Sequence, residues 1–161
     1  VTATPLQIAN LGATIANRGY FVTPHVVKEI EGEPMDSVFS EKRYTKVDKS
    51  HYDEVALGMR MAVLGGTCRT ANMPDIEICG KTGTAQNHGK DHSAFMGFAP
   101  LNNPKIAVAV YVENGGWGAT YGVPIGKLII EKYIKGKLSP DDEALATDIQ
   151  TRRIDNAIHD R

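Results

Sequence analysis

The stretch that decides the fold is Ile76-Glu77-Ile78-Cys79-Gly80-Lys81-Thr82-Gly83-Thr84-Ala85-Gln86. Up to Gly80 it alternates. Ile76 and Ile78 fall on one side and Glu77 and Cys79 on the other, the period-two signature of a strand with one buried face. Gly80-Lys81-Thr82-Gly83-Thr84 then sets a single cation among small residues, and glycines beside a lysine leave strand backbone open to a ligand. Residues 76–86 therefore read as a strand, and the segments that follow read as its support.

Downstream, residues 92–99 (H-S-A-F-M-G-F-A) form an aromatic strand with Phe95 and Phe98, in which Gly97 permits close approach. Residues 105–113 (K-I-A-V-A-V-Y-V-E) are a nearly continuous apolar run, typical of a buried central strand. Asn102-Asn103-Pro104 is the turn between them. Such short connections predict an antiparallel meander of three strands. Residues 114–122 are glycine-rich and hold the only tryptophan, Trp117. A helix follows with Leu128, Ile129, Ile130, Tyr133 and Ile134, and Gly136 caps it. From Ser139 the chain is polar, with Pro140 and many acids, and reads as a frayed helix or a disordered tail.

Upstream, Thr4-Pro5-Leu6-Gln7 is a capping box with proline at the first helical position. Leu6, Ile8, Leu11 and Ile15 give that helix its apolar face, and Gly19 is the expected left-handed stop. Residues 20–31 read as two extended pieces bent at Pro24. Residues 33–49 read as a surface loop with a short strand at 44–47. Ser50-His51-Tyr52-Asp53 signals a second helix carrying Tyr52, Val55, Ala56, Met59, Ala62 and Val63, which Gly65-Gly66 ends. The sum is an α+β fold: an antiparallel sheet with three strands from this chain, flanked by helices.

The 161 residues suffice for one domain with a real core, and 42% apolar with 23% charged residues is the balance of a soluble globular chain. A net charge of -1 gives no electrostatic case for nucleic acid or an anionic membrane surface. No apolar run approaches the ~20 residues of a membrane span, and no signal peptide is visible. Cys68 and Cys79 are neither a metal-type pair nor a disulfide framework, and read as two independent buried thiols. The chain starts Val1-Thr2-Ala3-Thr4, without an initiator methionine, and runs straight into a helix. It is expected to be a piece of a longer protein.

Three chemistries compete for Lys81. A phosphate-binding loop would need a glycine where Asp75 stands, an anion where phosphate would sit, and a helix after the lysine rather than more strand. A metal site would draw on His88, Asp91 and His92. On a loop that spacing does not bring two imidazoles together, and no metal is expected. Acyl transfer suits the residues better, because Lys-Thr-Gly is one of three elements of serine β-lactamases and penicillin-binding proteins. The lysine would supply charge for a substrate carboxylate and tune proton transfers. The threonines would offer it hydroxyls, and Gly83 would keep the strand edge clear for a substrate lying along it. The N–H of Thr84 would meet a developing oxyanion.

Taken together, T-A-T-P-L-Q-I-A…N-R-G-Y, G-K-T-G-T-A-Q-N, A-F-M-G-F-A-P and P-K-I-A-V-A-V-Y-V-E-N-G-G resemble the C-terminal part of the transpeptidase domain of class B penicillin-binding proteins, elongation type (penicillin-binding protein 2). The resemblance covers residues 1–138 and leaves 139–161 as a polar tail. It implies the serine β-lactamase/penicillin-binding transpeptidase fold, with two further strands from elsewhere in the chain. The implied activity is peptidoglycan D,D-transpeptidation: a serine attacks the penultimate D-Ala carbonyl of a stem peptide, and β-lactams acylate the same serine. Carried over by position, Lys81, Thr82 and Gly83 match the third motif, and Thr84 the oxyanion donor and a carboxylate contact. Gln86 is a weaker candidate for substrate binding, and residues 114–122 border the cleft. The resemblance further implies no cofactor, an inner-membrane anchor with this domain periplasmic, and membership of a cell-elongation complex.

The other two motifs are absent. Three residues after Ser37, Ser40, Ser50, Ser93 and Ser139 stand Ser40, Arg43, Asp53, Met96 and Asp142, so there is no S-x-x-K. Two residues after them stand Phe39, Lys42, Tyr52, Phe95 and Asp141, so there is no S-x-N. In the family both motifs lie upstream of residue 2. The expectation is that these 161 residues alone are inert and self-associate through unpaired strand edges. The alternative from another class is a non-catalytic module that binds peptides or partners along an exposed sheet edge.

Overall fold

The computed structural model describes residues 2 to 154. Its elements are α1 (Pro5–Ala16), β1 (Tyr20–Phe21), β2 (Arg43–Tyr44), α2 (Lys49–Leu64), β3 (Cys79–Ala85), β4 (His92–Ala99), β5 (Ile106–Val112), α3 (Gly122–Lys135) and α4 (Pro140–Thr151). β3, β4 and β5 form the expected antiparallel meander, with Thr82 opposite Phe95 and Phe95 opposite Val110. β1 and β2 make a separate two-stranded ribbon, Tyr20 opposite Tyr44.

The deciding strand differs from its sequence reading in extent and in surroundings. The ladder runs from Cys79 to Ala85, so Ile76 to Ile78 precede it and Gln86 lies beyond it. Both faces are buried at its start. Ile76 and Ile78 join Phe95, Val108, Val110, Val123 and Ile130 in one cluster. Cys79 joins Phe98, Ile15, Tyr52, Ala56 and Met59 in another. The sheet is thus a middle layer, with α3 packed over β4 and β5 on one side, α1 against β5 and β4 on the other, and α2 against β3. A period of two does not separate a one-sided strand from a two-sided one when the outward residue is a small apolar cysteine.

Thr4 and Gln7 make the expected capping box on α1. The helix docks through Gly12 and Ile15, while Leu6 and Leu11 stay exposed. Gly12 lies close enough to Met96 that a side chain there would crowd it. α1 stops one residue earlier than expected, because Arg18 itself takes positive φ ahead of Gly19. Its guanidinium ties the turn down, donating to the carbonyls of Ile15, Ala16 and Leu101 and to Asp53. α2 is capped by Asp48 rather than started at Ser50: Asp48 accepts from the amide and hydroxyl of Ser50. Tyr52, Ala56, Met59 and Val63 form its buried stripe, and Val55 is exposed. Of residues 20–31 only Tyr20 and Phe21 pair as strand, and the second strand shrinks from 44–47 to Arg43–Tyr44.

From Ser139 the chain forms a well-defined helix, α4, rather than a disordered tail. Pro140 opens it, acids fill its first turn, and the buried Asp142 pairs with Lys127 of α3 at 2.6 Å. Residues 155–161, the end of that expected tail, lie outside the described residues.

Candidate active site

β3 is an edge strand, and two contacts fix which way its backbone faces. Lys81 Nζ donates to the carbonyl of Thr82 at 2.7 Å. Four residues earlier on the same repeat, the carbonyl of Ile78 accepts from Arg60 of α2 at 2.9 Å, and burial pushes up the pKa of the Cys68 thiol beside the strand. The Thr82 N–H and C=O therefore both point away from β4, which makes Thr82–Phe95 a pair without mutual ladder bonds. By the two-residue repeat, the N–H and C=O of Thr84 point to the same outer edge.

That edge is partly covered. α2 lays Tyr52, Ala56 and Met59 on one side of the sheet, but its last turn places Val63 in the cluster on the other. The chain after α2 thus passes around β3. Cys68 is wholly buried there, its sulfur 3.6 Å from where a Gly80 side chain would begin. The exposed Thr67 beside it brings its hydroxyl 2.8 Å from that of Thr82. Past Thr82, among the described residues, no strand pairs with the outer side of Gly83–Ala85.

The glycine-rich segment closes the far end of the strand. Gly118 sits over the β3–β4 ladder, where a side chain would lie 2.6 Å from both the Gly83 and Ala94 carbonyls. Ser93, opposite Thr84, locks the segment in place: its hydroxyl donates to the Trp117 carbonyl at 2.8 Å and accepts from the Gly122 amide at 3.0 Å. Buried and with its proton committed, Ser93 is a structural hydroxyl rather than a nucleophile. Trp117 itself is 76% exposed, so it does not cover the sheet.

Lys81 and Thr84 are exposed, Thr82 and Gly83 half-buried, and all four share β3. Gln86 is exposed but sits past the last ladder residue, away from the cluster at Thr82. Asp75 pairs with Lys135 at 2.7 Å, and the chain after Lys81 continues as strand, so neither requirement of a phosphate loop is met. His92 Nδ1 accepts from the Asn114 amide at 2.9 Å, and its ring rests on Tyr111. Among the described residues no three acidic, histidine or cysteine side chains converge as a metal site. Cys68 and Cys79 are free and occupy different clusters. A 590 Å³ groove lies away from the strand, in the loop bearing Pro24, Val27, Ile30, Met35 and Phe39.

Thr67 escaped the sequence reading. It is 15 positions from Thr82, in a connector with no motif of its own, and only the wrap of α2 around β3 brings the two hydroxyls together.

Residues 1–131 match the penicillin binding protein transpeptidase domain. The chain belongs to this family. Its relatives include the peptidoglycan D,D-transpeptidase PbpA of Mycobacterium tuberculosis, 32% identical over 85% of this chain and 30% of that protein. The peptidoglycan D,D-transpeptidase MrdA of Acinetobacter baumannii is 38% identical over 74% of this chain and 20% of that protein. The crystal structure of Pseudomonas aeruginosa PBP2 in complex with WCK 5153 superimposes with a TM-score of 0.72 at 38% identity, over 86% of this chain and 32% of that one. The α+β layering is therefore that of penicillin-binding transpeptidase domains, and the chain spans about a third or less of these three proteins.

Proposed function

We propose that this chain forms the Lys-Thr-Gly wall of the active site of a peptidoglycan D,D-transpeptidase. The observation that carries the reading is the placement of Lys81-Thr82-Gly83-Thr84 on an outward-facing edge strand inside the segment that matches the transpeptidase domain. In this reading the substrate lies along that edge as an added strand. The Lys81 ammonium and the hydroxyls of Thr82 and Thr84 bind its carboxylate. Gly83 leaves room for it, and the outward N–H of Thr84 donates to the oxyanion. Gln86, off the end of the ladder, contacts only the distal part of the ligand.

The reacting serine is not among these residues, because none of the five serines begins an S-x-x-K. Covalent catalysis needs a nucleophile with its base, so the 161-residue polypeptide alone is inert. The longer protein carries the serine and reacts with stem peptides and β-lactams. We assign residues 1–138 to the transpeptidase domain and 139–161 to a C-terminal appendage. The whole protein acts at the inner membrane, with this domain in the periplasm, within a cell-elongation assembly. Alone, the polypeptide self-associates through the free edges of β3 and β5.

A labelled penicillin tests both levels. The longer protein is expected to become covalently labelled, with Lys81→Met slowing labelling about 10²-fold, the loss typical of one charge-stabilising group in an active site. The 161-residue polypeptide is expected to stay unlabelled. Labelling of the short chain would reveal a nucleophile in it. Tight non-covalent binding of an acyl-D-Ala-D-Ala peptide by the short chain, with no labelling of the long one, would replace this reading by a binding module.

A further inference from the structure

We propose that Thr67 is a positioning residue of this site: its hydroxyl donates to Thr82 and thereby aims the Thr82 proton at the carboxylate bound by Lys81. The proposal rests on the transpeptidase reading above and adds to it a residue outside the Lys-Thr-Gly strand.

The two hydroxyl oxygens are 2.8 Å apart, so one of them donates to the other. Each threonine has one proton and two acceptor sites. With no anion bound, either direction satisfies the pair. A carboxylate beside Lys81 removes that freedom, because it only accepts. Thr82 must then give its proton to the ligand, and its oxygen is left to accept from Thr67. The result is a two-step chain, Thr67 O–H to Thr82 O–H to carboxylate, in which each bond polarises the next. Were Thr67 unable to donate, the Thr82 oxygen would turn to solvent, with its rotor less fixed.

Thr67 is held well enough to do this. Its neighbour Cys68 is buried against Gly80 and donates its amide to Ala62 at 3.0 Å, while the Cys68 carbonyl accepts from Ala71 at 2.9 Å. Arg69 closes the turn onto Gly66 at 3.2 Å. A side chain anchored on its following residue, yet itself exposed, is placed to meet a ligand rather than to fill core.

The test uses the longer protein, a fluorescent penicillin with a free carboxylate, and the methyl ester of the same compound. Second-order acylation rates are measured for wild type, Thr67→Val, Thr67→Ser, Thr67→Ala and Thr82→Val. Thr67→Val and Thr67→Ala are expected to slow acylation by the acid about three- to tenfold, the worth of one neutral hydrogen bond. The ester rate should change little, and Thr67→Ser should restore the acid rate. The acid-to-ester ratio is read within each variant, so a partly unfolded preparation does not mimic the effect. If Thr67→Val leaves the acid rate unchanged, or lowers both rates equally, the proposal is overturned. If Thr82→Val shifts the ratio while Thr67→Val does not, Thr67 is a bystander and the transpeptidase reading stands. If wild type itself is not acylated, that reading fails and the role of Thr67 falls with it.

Discussion

Phe95 sits directly opposite Thr82 and is 2% exposed, so the ring behind the Lys-Thr-Gly strand is part of how that strand is held. It fits because three neighbours have no side chain: a Cβ at Gly80, Gly97 or Gly126 would come within 2.4, 2.5 or 2.3 Å of ring atoms. Gly126 separates two effects cleanly. Alanine is the better helix former by about 1 kcal/mol in the middle of α3, but overpacking a tight core costs about 1–3 kcal/mol. At 2.3 Å the clash should win, and Gly126→Ala is expected to lower stability by about 1–2 kcal/mol in urea titration. A stabilised variant would mean that the ring swings aside. The thiols give a second test at this scale. Burial pushes Cys79 up to about 12, a rise that the charges of Arg60 and Arg18 only partly offset, and Cys68 is raised in the same direction. Because the thiolate is the reactive form, both should resist iodoacetamide in the folded protein at pH 8 and react on unfolding. Rapid labelling of either would contradict the burial. At this scale the placement of Lys81-Thr82-Gly83 together on one strand was readable, because a strand segment is local and contiguous. Thr67 was not, because its partner is supplied by the path of a helix rather than by spacing.

At the scale of elements, the meander and the capping box of α1 were legible because short turns and local side-chain-to-backbone bonds determine them. What failed was competition between neighbouring signals. Ser50 and Asp48 both suit a cap; Asp48 wins because Ser50 then serves it as a donor twice over. The sequence left residues from Ser139 open between a frayed helix and a disordered tail, because the amphipathicity there is weak and the decisive contact is a single ion pair. Lys127 and Asp142, 15% and 4% exposed, pin α4 to α3. Burial raises the pKa of Asp142, but the 2.6 Å bond from Lys127 and its charge hold it below the ordinary 3.8. A carboxyl depressed on folding contributes stability above its unfolded pKa and loses it as pH falls through the lower folded value. Docking of α4 should therefore be intact from neutral pH to about pH 4 and weaken below it. Asp142→Ala, which strands a buried lysine, should cost about 3–5 kcal/mol locally. Hydrogen exchange is the direct readout: amides of α4 should exchange faster, while those of β4 and β5 keep their protection. Equal loss in the sheet would show that α4 and the sheet unfold as one unit.

At the scale of the molecule, α2 carries two apolar stripes and this chain buries one. Tyr52, Ala56, Met59 and Val63 face the sheet, whereas Leu57, Met61 and Leu64, spaced four and three apart, remain more than half in solvent or close to it. A helix apolar on both sides belongs between two layers, and among the described residues one layer covers it. The same holds for β3, which is paired with β4 but, among the described residues, open along its outer side past Thr82. Relatives are at least three times as long as the matched segment, which is consistent with cover from elsewhere in a longer protein. Among the described residues nothing covers the stripe or pairs with that edge. Fully burying one leucine is worth about 1.5–3 kcal/mol, so covering these three side chains is the largest gain open to the self-association proposed above. Leu57→Glu with Met61→Glu is expected to shift the polypeptide toward monomer in sedimentation velocity. Its stability should change by less than about 0.5 kcal/mol, because the substituted positions are exposed. Association that persists unchanged would assign it to the strand edges alone, and Thr84→Pro, which removes the outward N–H without breaking a ladder bond, would then be the variant that abolishes it.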